Sequence, residues 1–427
     1  MRVAIIGAGI AGLGCAWLLT RQGRQVTLFE ANDYLGGHTH TVDVTLDGTT
    51  APVDTGFLVY NERTYPKLVA LFAELAVLSA PSTMTFSVRN DTAGIEWSGT
   101  DFAALFAQPT NALRPRFWRM LVDILRFNRE TTAMQREGRV PAVTLGEFLD
   151  ARGYSAPFRD WYVLPMAAAI WSSSSRQILD FPLPTLVRFC YHHGLLSIFG
   201  RPQWRSVARG GRVYVDRIAA RLADVRPSTP VRRIRRRGDH VEVETAGVPA
   251  EHFDEVVLAC HSDQALALLA DASCEETAQL GSVRFQTNRV LLHTDVRLMP
   301  RHRRAWSAWN HLAVDAAASE RPVAVSYWLN ELQSLPFTTP LLCTLNPPFE
   351  PHPETLIAEF EYSHPLVKSA AVTAQQRFAY LQGARHTWYA GAWLGYGFHE
   401  DGLASAHVVA QGIAARSAIA TAELAAA

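Results

Sequence analysis

The chain has 427 residues, 48% of them apolar and 19% charged, an ordinary globular composition long enough for two or three domains and an enclosed ligand. Forty Lys and Arg balance forty Asp and Glu, so global charge points away from nucleic acid and any basic surface must be local. Five scattered cysteines without a Cys-x-x-Cys pair argue against a disulfide framework or a zinc site and fit a reducing cytoplasm. In chain order, residues 2–6 read as a buried strand, 7–12 as a tight turn, 13–22 as a helix ended by Gly23, and 25–30 as a second strand. That is a βαβ unit, whose right-handed crossover makes the two strands parallel. Residues 66–78 and 101–130 read as helical, and 140–195 as mostly helical with proline breaks. A helix at 212–222 and strands at 231–234, 241–243 and 255–259 follow. Residues 286–365 alternate short strands with Pro-rich turns. Residues 387–390 form a strand feeding a glycine-rich loop, with a helix from Gly402 onward. The longest uncharged run, 3–20, is too broken by glycine for a membrane span and has no convincing cleavage site for a signal peptide. The expected location is cytoplasmic.

Gly7-Ala8-Gly9-Ile10-Ala11-Gly12 is a G-x-G-x-x-G in its full context: a strand precedes it, a helix follows, and Glu30 ends the next strand. Gly7 permits the turn, Gly9 lets backbone approach a pyrophosphate, and Gly12 lets helix and strand pack closely. The helix N-terminus offers unpaired N–H groups and a positive dipole to phosphates. Glu30 can accept hydrogen bonds from ribose hydroxyls and repels a 2′-phosphate, which favours FAD or NAD over NADP. No second fingerprint occurs mid-chain. Gly210-Gly211 lacks the spacing, so NADH and NADPH are expected to be poor reductants.

Further motifs follow: Gly36-Gly37-His38-Thr39-His40-Thr41, then Asp54-Thr55-Gly56-Phe57. Near the other end runs Tyr389-Ala-Gly-Ala-Trp-Leu-Gly-Tyr-Gly-Phe-His-Glu-Asp-Gly-Leu403. With these the chain resembles, over essentially its whole length, the FAD-dependent amine oxidase and phytoene desaturase superfamily. It looks closest to bacterial NAD/FAD-binding oxidoreductases similar to flavin-dependent fatty-acyl desaturases and double-bond isomerases, which are often linked with cyclopropane-fatty-acid-type methyltransferases. The resemblance implies FAD, an α/β Rossmann-type FAD-binding domain and an inserted α+β substrate domain. The FAD domain would comprise 1–78, 205–285 and 383–427, and the cap 79–204 and 286–382. Cofactor contacts are expected from Gly7, Gly9, Ile10, Ala11, Gly12, Glu30, Ala31, Gly36, Gly37, His38, Thr39, Asp54, Thr55, Gly56, Phe57, Val231, Gly391, Ala392, Asp401, Gly402 and Leu403. Three departures matter. His38 stands where the superfamily has Arg, and Ala392 where it has an acidic residue or Thr. Asn288-Arg289 lies where amine oxidases place a Lys beside the flavin, which weakens amine oxidation.

The flavin would carry the hydride chemistry while the protein orients substrate. Tyr396, His399 and Arg289 are the catalytic candidates. Tyr396 resembles one wall of the amine oxidase aromatic cage, against a plain loop-packing role. His399 or Glu400 would accept a proton when poised by burial, and Asp401 reads foremost as a helix N-cap. No metal is expected; His192-His193 lacks a third ligand. Arg232–Arg237 reads as a solvated face. Residues 114–129 interleave Arg114, Arg116, Arg119, Arg126 and Arg129 with Phe117, Trp118, Met120, Leu121, Ile124, Leu125 and Phe127. That pattern suits an anionic membrane surface, a cap over an apolar cavity, or both. The leading function is FAD-dependent desaturation of an apolar substrate, foremost a fatty-acyl chain, by hydride transfer to flavin N5. A redox-neutral double-bond isomerase, an amine oxidase and a non-catalytic flavin- or NAD-binding module stand as alternatives.

Overall fold

The computed structural model describes residues 1–197, 199–315, 318 and 320–426. Five parallel strands form one sheet in the spatial order Asp224–Arg226, Gln25–Phe29, Arg2–Ile6, Glu255–Leu258, Thr387–Tyr389. Strand alternation sorts their side chains to two covered faces. Val3, Ile5, Leu28 and Val257 pack against the helices Ile10–Arg21 and His399–Ala426. Ala4, Ile6, Phe29, Val256 and Leu258 face the antiparallel strands Val231–Arg236, Val241–Thr245 and Glu251–Phe253. This is the expected α/β dinucleotide-binding architecture.

The inserted part is built on seven strands in the order Leu356–Pro365, Phe285–His293, Leu342–Leu345, Ala324–Trp328, Trp309–Ala313, Phe86–Asn90, Ile95–Ser98. All pairs are antiparallel except Trp309–Ala313 with Phe86–Asn90. Helices Pro115–Arg136, Leu145–Ala151, Leu164–Trp171 and Leu183–His192 pack beside this sheet around Phe127, Phe158, Leu186 and Val325. Short strands Tyr60–Asn61 and Ser79–Ser82 pair with Trp204–Val207 where the chain passes between the two parts. The helix Ser369–Arg377 lies inside the expected cap range. Yet Ala371, Phe378 and Leu381 pack with Phe29, Leu258 and Leu280 of the dinucleotide-binding part.

Several elements differ from the sequence expectation, with local causes. The helix expected at 66–78 ends at Glu74, and Ser79–Ser82 is a strand. The helix expected at 101–130 is three pieces: Phe102–Leu105 capped by Asp101, a 3₁₀ turn Pro109–Leu113, and Pro115–Arg136. Pro109 and Pro115 start the second and third pieces because proline lacks the N–H an interior position needs. The last helix starts at His399 and not at Gly402.

Candidate cofactor and substrate site

The first glycine turn closes on its neighbours as a phosphate cradle does. Gly7 has φ +103°, and a Cβ there would lie 2.9 Å from the Ala259 carbonyl oxygen. A Cβ on Gly12 would lie 1.9 Å from the Gly7 oxygen, so helix Ile10–Arg21 can approach the strand only with glycine there. A Cβ on Gly9 would meet nothing within 4 Å; the backbone faces open space at the uncapped helix N-terminus. Ile10 and Ala11 are buried in the first helical turn. Glu30 is buried, its carboxylate accepting from Ala8 N at 2.7 Å and Asn32 N at 2.9 Å. Ala31 beside it is exposed. Thr229 N donates to the Glu30 carbonyl and Ser228 N to that of Asn32, both at 2.8 Å, which brings the approach to Val231 toward this end of the cradle.

The second loop lies on the first. Gly36 N donates to the Ala8 oxygen at 2.9 Å, and a Cβ on Gly37 would lie 3.1 Å from Gly9 Cα. From this loop His38 projects among Tyr362, His364 and His261, with ring centroids 5.3, 5.2 and 6.5 Å away. Its Nε2 is buried and has no hydrogen-bond partner among the described residues. Burial, then the neighbouring histidines, holds its pKa well below the ordinary value. His364 is pushed down to about 4 by burial, and His261, stacked 4.1 Å from Phe285, is also lowered by burial. His40 Nδ1 is 2.9 Å from Tyr362 Oη, and Thr55 Oγ1 is 2.6 Å from the same hydroxyl. Thr39 Oγ1 is bonded to Tyr214 Oη at 2.5 Å and to His399 Nε2 at 2.8 Å. His399 lies on Phe57 and is held neutral by burial, its pKa pushed down to about 3. The site is therefore ringed by uncharged imidazoles.

Asp54 works from behind this loop. It is buried, accepts from Thr41 Oγ1 and from Gly211 N at 2.8 Å, and so joins the second loop to the start of helix Arg212–Ala219. Burial raises its pKa to about 6 although these hydrogen bonds oppose the rise. Phe57 N bonds the His38 carbonyl, and a Cβ on Gly56 would lie 2.2 Å from that same oxygen.

The C-terminal loop completes the enclosure. Gly402 sits against Ile10 and Ala11, and Leu403 packs on Gly14, so the last helix crosses the cradle helix at close range. Gly391 N is held by Ser405 Oγ at 2.9 Å, with Ala392 next to it half-buried. Tyr396 stands in an aromatic wall. Phe189 is 5.7 Å from Tyr396 and 5.1 Å from Phe398, Trp171 is 4.9 Å from Phe189, and the Arg188 guanidinium lies 5.7 Å from the Tyr396 ring. Two expectations are corrected here. Asp401 is not an N-cap: it is the third helical residue, and its carboxylate reaches back to Phe398 N at 2.9 Å. Arg289 does not join the site. Its guanidinium is drawn outward by Glu350 at 2.5 Å and Glu359 at 2.7 Å. The pleat turns the fully buried Asn288 inward instead, where its amide donates to the Tyr362 oxygen and His364 Nδ1. Tyr362, His364 and His261 escaped the sequence reading because none sits in a glycine-rich motif; strand alternation was the one local mark of Tyr362 and His364, and His261 is the N-cap of helix Ser262–Leu268.

Away from the loops, Arg236 departs from the expected solvated face. It is buried and ion-paired with Glu276, which also accepts from Tyr389 Oη at 2.7 Å. Among the described residues one His–Glu–His grouping, His240, Glu242 and His252, lies at this hairpin, with His240 in the turn before strand Val241–Thr245, but Arg237 occupies the Glu242 carboxylate at 2.9 and 3.0 Å. A cavity of about 680 Å³ opens in the cap between Asn90, Arg114, Trp161 and His311. It includes none of the expected site residues, and the cradle, with its glycines, uncapped helix and buried carboxylate, is the better supported site.

Residues 10–318 match the family model for flavin containing amine oxidoreductase. The chain belongs to this family. Among curated relatives of this flavin family, it is 30% identical over 299 residues to carotenoid phi-ring synthase of Streptomyces griseus, over 64% of this chain and 54% of that protein. The chain spans about half the length of the curated relatives it matches. Its fold is similar to that of a CLA-producing fatty acid isomerase from P. acnes, with a TM-score of 0.67 and 16% identity over 96% of this chain and 98% of that one. It is similar to that of cyclohexylamine oxidase from Brevibacterium oxydans, with a TM-score of 0.67 and 17% identity over 96% and 99%. Membership in the flavin containing amine oxidoreductases makes FAD the cofactor of this chain. Its residues fit that cofactor. The open face of Gly9, the uncapped helix start, the buried Glu30 and the orphaned His38 Nε2 are the features a dinucleotide with a polar ring system satisfies.

Proposed function

We propose that this flavoenzyme desaturates an apolar chain, foremost a fatty-acyl chain. Bound FAD supplies the two-electron acceptor for the hydrogen that leaves one carbon. The chain's own groups position the substrate, exclude water and take the proton from the neighbouring carbon, so that a C=C bond forms. We assign the proton-accepting role to His399, which burial keeps neutral and whose Nε2 is bonded to Thr39 Oγ1. Trp171, Phe189, Tyr396 and Phe398 supply an apolar, aromatic wall beside it.

One observation carries the preference for an uncharged substrate over an amine. The carboxylates next to the wall are already engaged by backbone donors. Glu400 caps the helix start at Lys67 N and Leu68 N, at 2.9 and 3.0 Å, and Asp401 holds Phe398 N. The chain has two lysines, Lys67 and Lys368, and neither lies on the strand Phe285–His293, where the family resemblance would put an amine oxidase lysine. The lipid reading also draws on the fatty acid isomerase and carotenoid enzyme among the similar proteins.

The test is anaerobic mixing of FAD-loaded protein with a lipid extract, following the visible flavin band and the lipids by mass spectrometry. Desaturation predicts bleaching with loss of hydrogen from a lipid. Conversion without net bleaching would instead identify an isomerase. Bleaching by simple amines, with lipids inert, would overturn the proposal in favour of an amine oxidase.

A further inference from the structure

From the outer face of helix Pro115–Arg136 we infer that the protein docks on an anionic bilayer surface, independently of which apolar substrate it takes. The helix has two different faces. Phe117, Met120, Phe127 and Thr131 are buried in the cap. Opposite them, Trp118, Val122 and Leu125 are 47%, 58% and 55% exposed, spaced four and three residues apart on one ridge. Leu113, just before the helix, is 85% exposed. Large apolar side chains in such a row are costly in water and suit the headgroup boundary of a membrane.

Charge decides the occupant. Arg116, Arg119, Arg129 and Arg136 flank the ridge on exposed positions. Arg129 and Arg136 have no ion pair among the described residues. Asp123 is turned inward, where Arg119 and Arg126 neutralise it at 3.2 and 3.8 Å. Glu130 is committed to Arg152 at 3.0 Å, and Glu137, past the helix end, to Arg139. Asp123 is buried, Glu130 and Glu137 are paired with Arg152 and Arg139, and Arg129 and Arg136 stay exposed, which leaves a surface complementary to anionic headgroups. Phe199, 89% exposed, lies two residues past a segment that shares a groove with Leu125 and Arg129. The face also lies close to the site: its helix packs on Leu183–His192, whose Phe189 touches Tyr396 and Phe398.

The experiment is co-sedimentation of the FAD-loaded full chain with phosphatidylcholine vesicles, with and without phosphatidylglycerol. Binding should require phosphatidylglycerol and weaken with salt, since exposed charges are screened over about 10 Å at 0.1 M. Arg129→Gln with Arg136→Gln should reduce partitioning by roughly thirtyfold, about fivefold for each arginine. Trp118→Ser with Leu125→Ser should abolish it at the same flavin content and circular dichroism. Equal recovery in the supernatant with both vesicles, or equal binding to both, would overturn the inference. So would a lipid-free dimer by sedimentation velocity that the Trp118/Leu125 variant dissociates, because a second copy would then cover the ridge.

Discussion

The imidazole of His399 lies flat on the ring of Phe57, with centroids 3.7 Å apart and planes 18° from parallel. The stack ties the loop after Asp54 to the first turn of the last helix, so two distant segments are positioned by one aromatic contact. Phe57→Ala should cost about 3 kcal/mol of stability, the range for truncating a buried phenylalanine. It should also reduce flavin retention by freeing His399. Thermal melting and the flavin-to-protein absorbance ratio check both; an unchanged ratio would show that the stack does not organise the site.

Gly9 and Gly12 separate folding from cofactor binding. Gly12→Ala forces a methyl group against the Gly7 oxygen and should destabilise the protein with or without FAD. Gly9→Ser places its Cβ in open space at the helix N-cap, a position serine favours, so the apoprotein should melt close to the original. FAD affinity should fall about tenfold or more, at least about 1.4 kcal/mol. Calorimetry of both apoproteins and FAD titration distinguish the two effects.

Asp54 should tolerate amide substitution far better than truncation. Asp54→Ala leaves Gly211 N and Thr41 Oγ1 without their acceptor, a loss of about 1–3 kcal/mol for a buried donor. Asp54→Asn keeps one acceptor oxygen. Because burial raises the carboxyl from 3.8 to about 6, the folded state binds the proton more tightly than the unfolded state. Its contribution is present below about pH 4 and is lost as pH rises through about 6. Asp54→Asn should remove that slope in chemical denaturation curves taken across the interval.

The buried histidines set the opposite trend. His193, His293, His311 and His364 are pushed down to about 4 and His399 to about 3, each foremost by burial. In the unfolded chain each protonates near its ordinary 6.5, so the unfolded state gains protons first as pH falls. Their stabilisation is present above about pH 6.5 and is lost from there down toward 4. They outnumber Asp54 and Asp401, the two carboxyls raised to about 6. The melting temperature should therefore drop from pH 7 to pH 5; a rise would contradict the burial of these rings.

Electron supply can be tested directly. The sequence has one G-x-G-x-x-G turn, Gly7–Gly12, the turn assigned above to FAD. NADH and NADPH should therefore bleach the bound flavin slowly under anaerobic conditions, more slowly than the true substrate. Rapid bleaching at micromolar NADH would contradict this.

The cradle was legible because its causes are local. Gly7, Gly9, Gly12 and Glu30 stand at fixed offsets within one βαβ unit, where backbone sterics and a phosphate dictate residue type. The far wall was not legible. Asn288, Tyr362 and His364 come from adjacent long strands, and which alternate residues face inward depends on register with loops hundreds of residues away. Arg289 was misplaced by one step of the pleat. Asp401 was misread because an acidic residue near a helix start serves equally from the third position, reaching backward. The proline-divided region 101–136 kept its helical character but not its continuity.

Strand Arg2–Ile6 lies between Gln25–Phe29 and Glu255–Leu258, and the cradle helix is sealed by Gly402 and Leu403. The two halves of the dinucleotide site are thus made nearly a whole chain length apart in time. At about 5–20 residues per second, roughly 20–75 s pass between synthesis of Glu30 and of Leu403. During that interval the glycine turn exists without its cover, and the first helix packs on strands Arg2–Ile6 and Gln25–Phe29 but lacks the last helix on its other side. The cradle is consequently covered late in synthesis, after every strand of the parallel sheet that flanks it has been made.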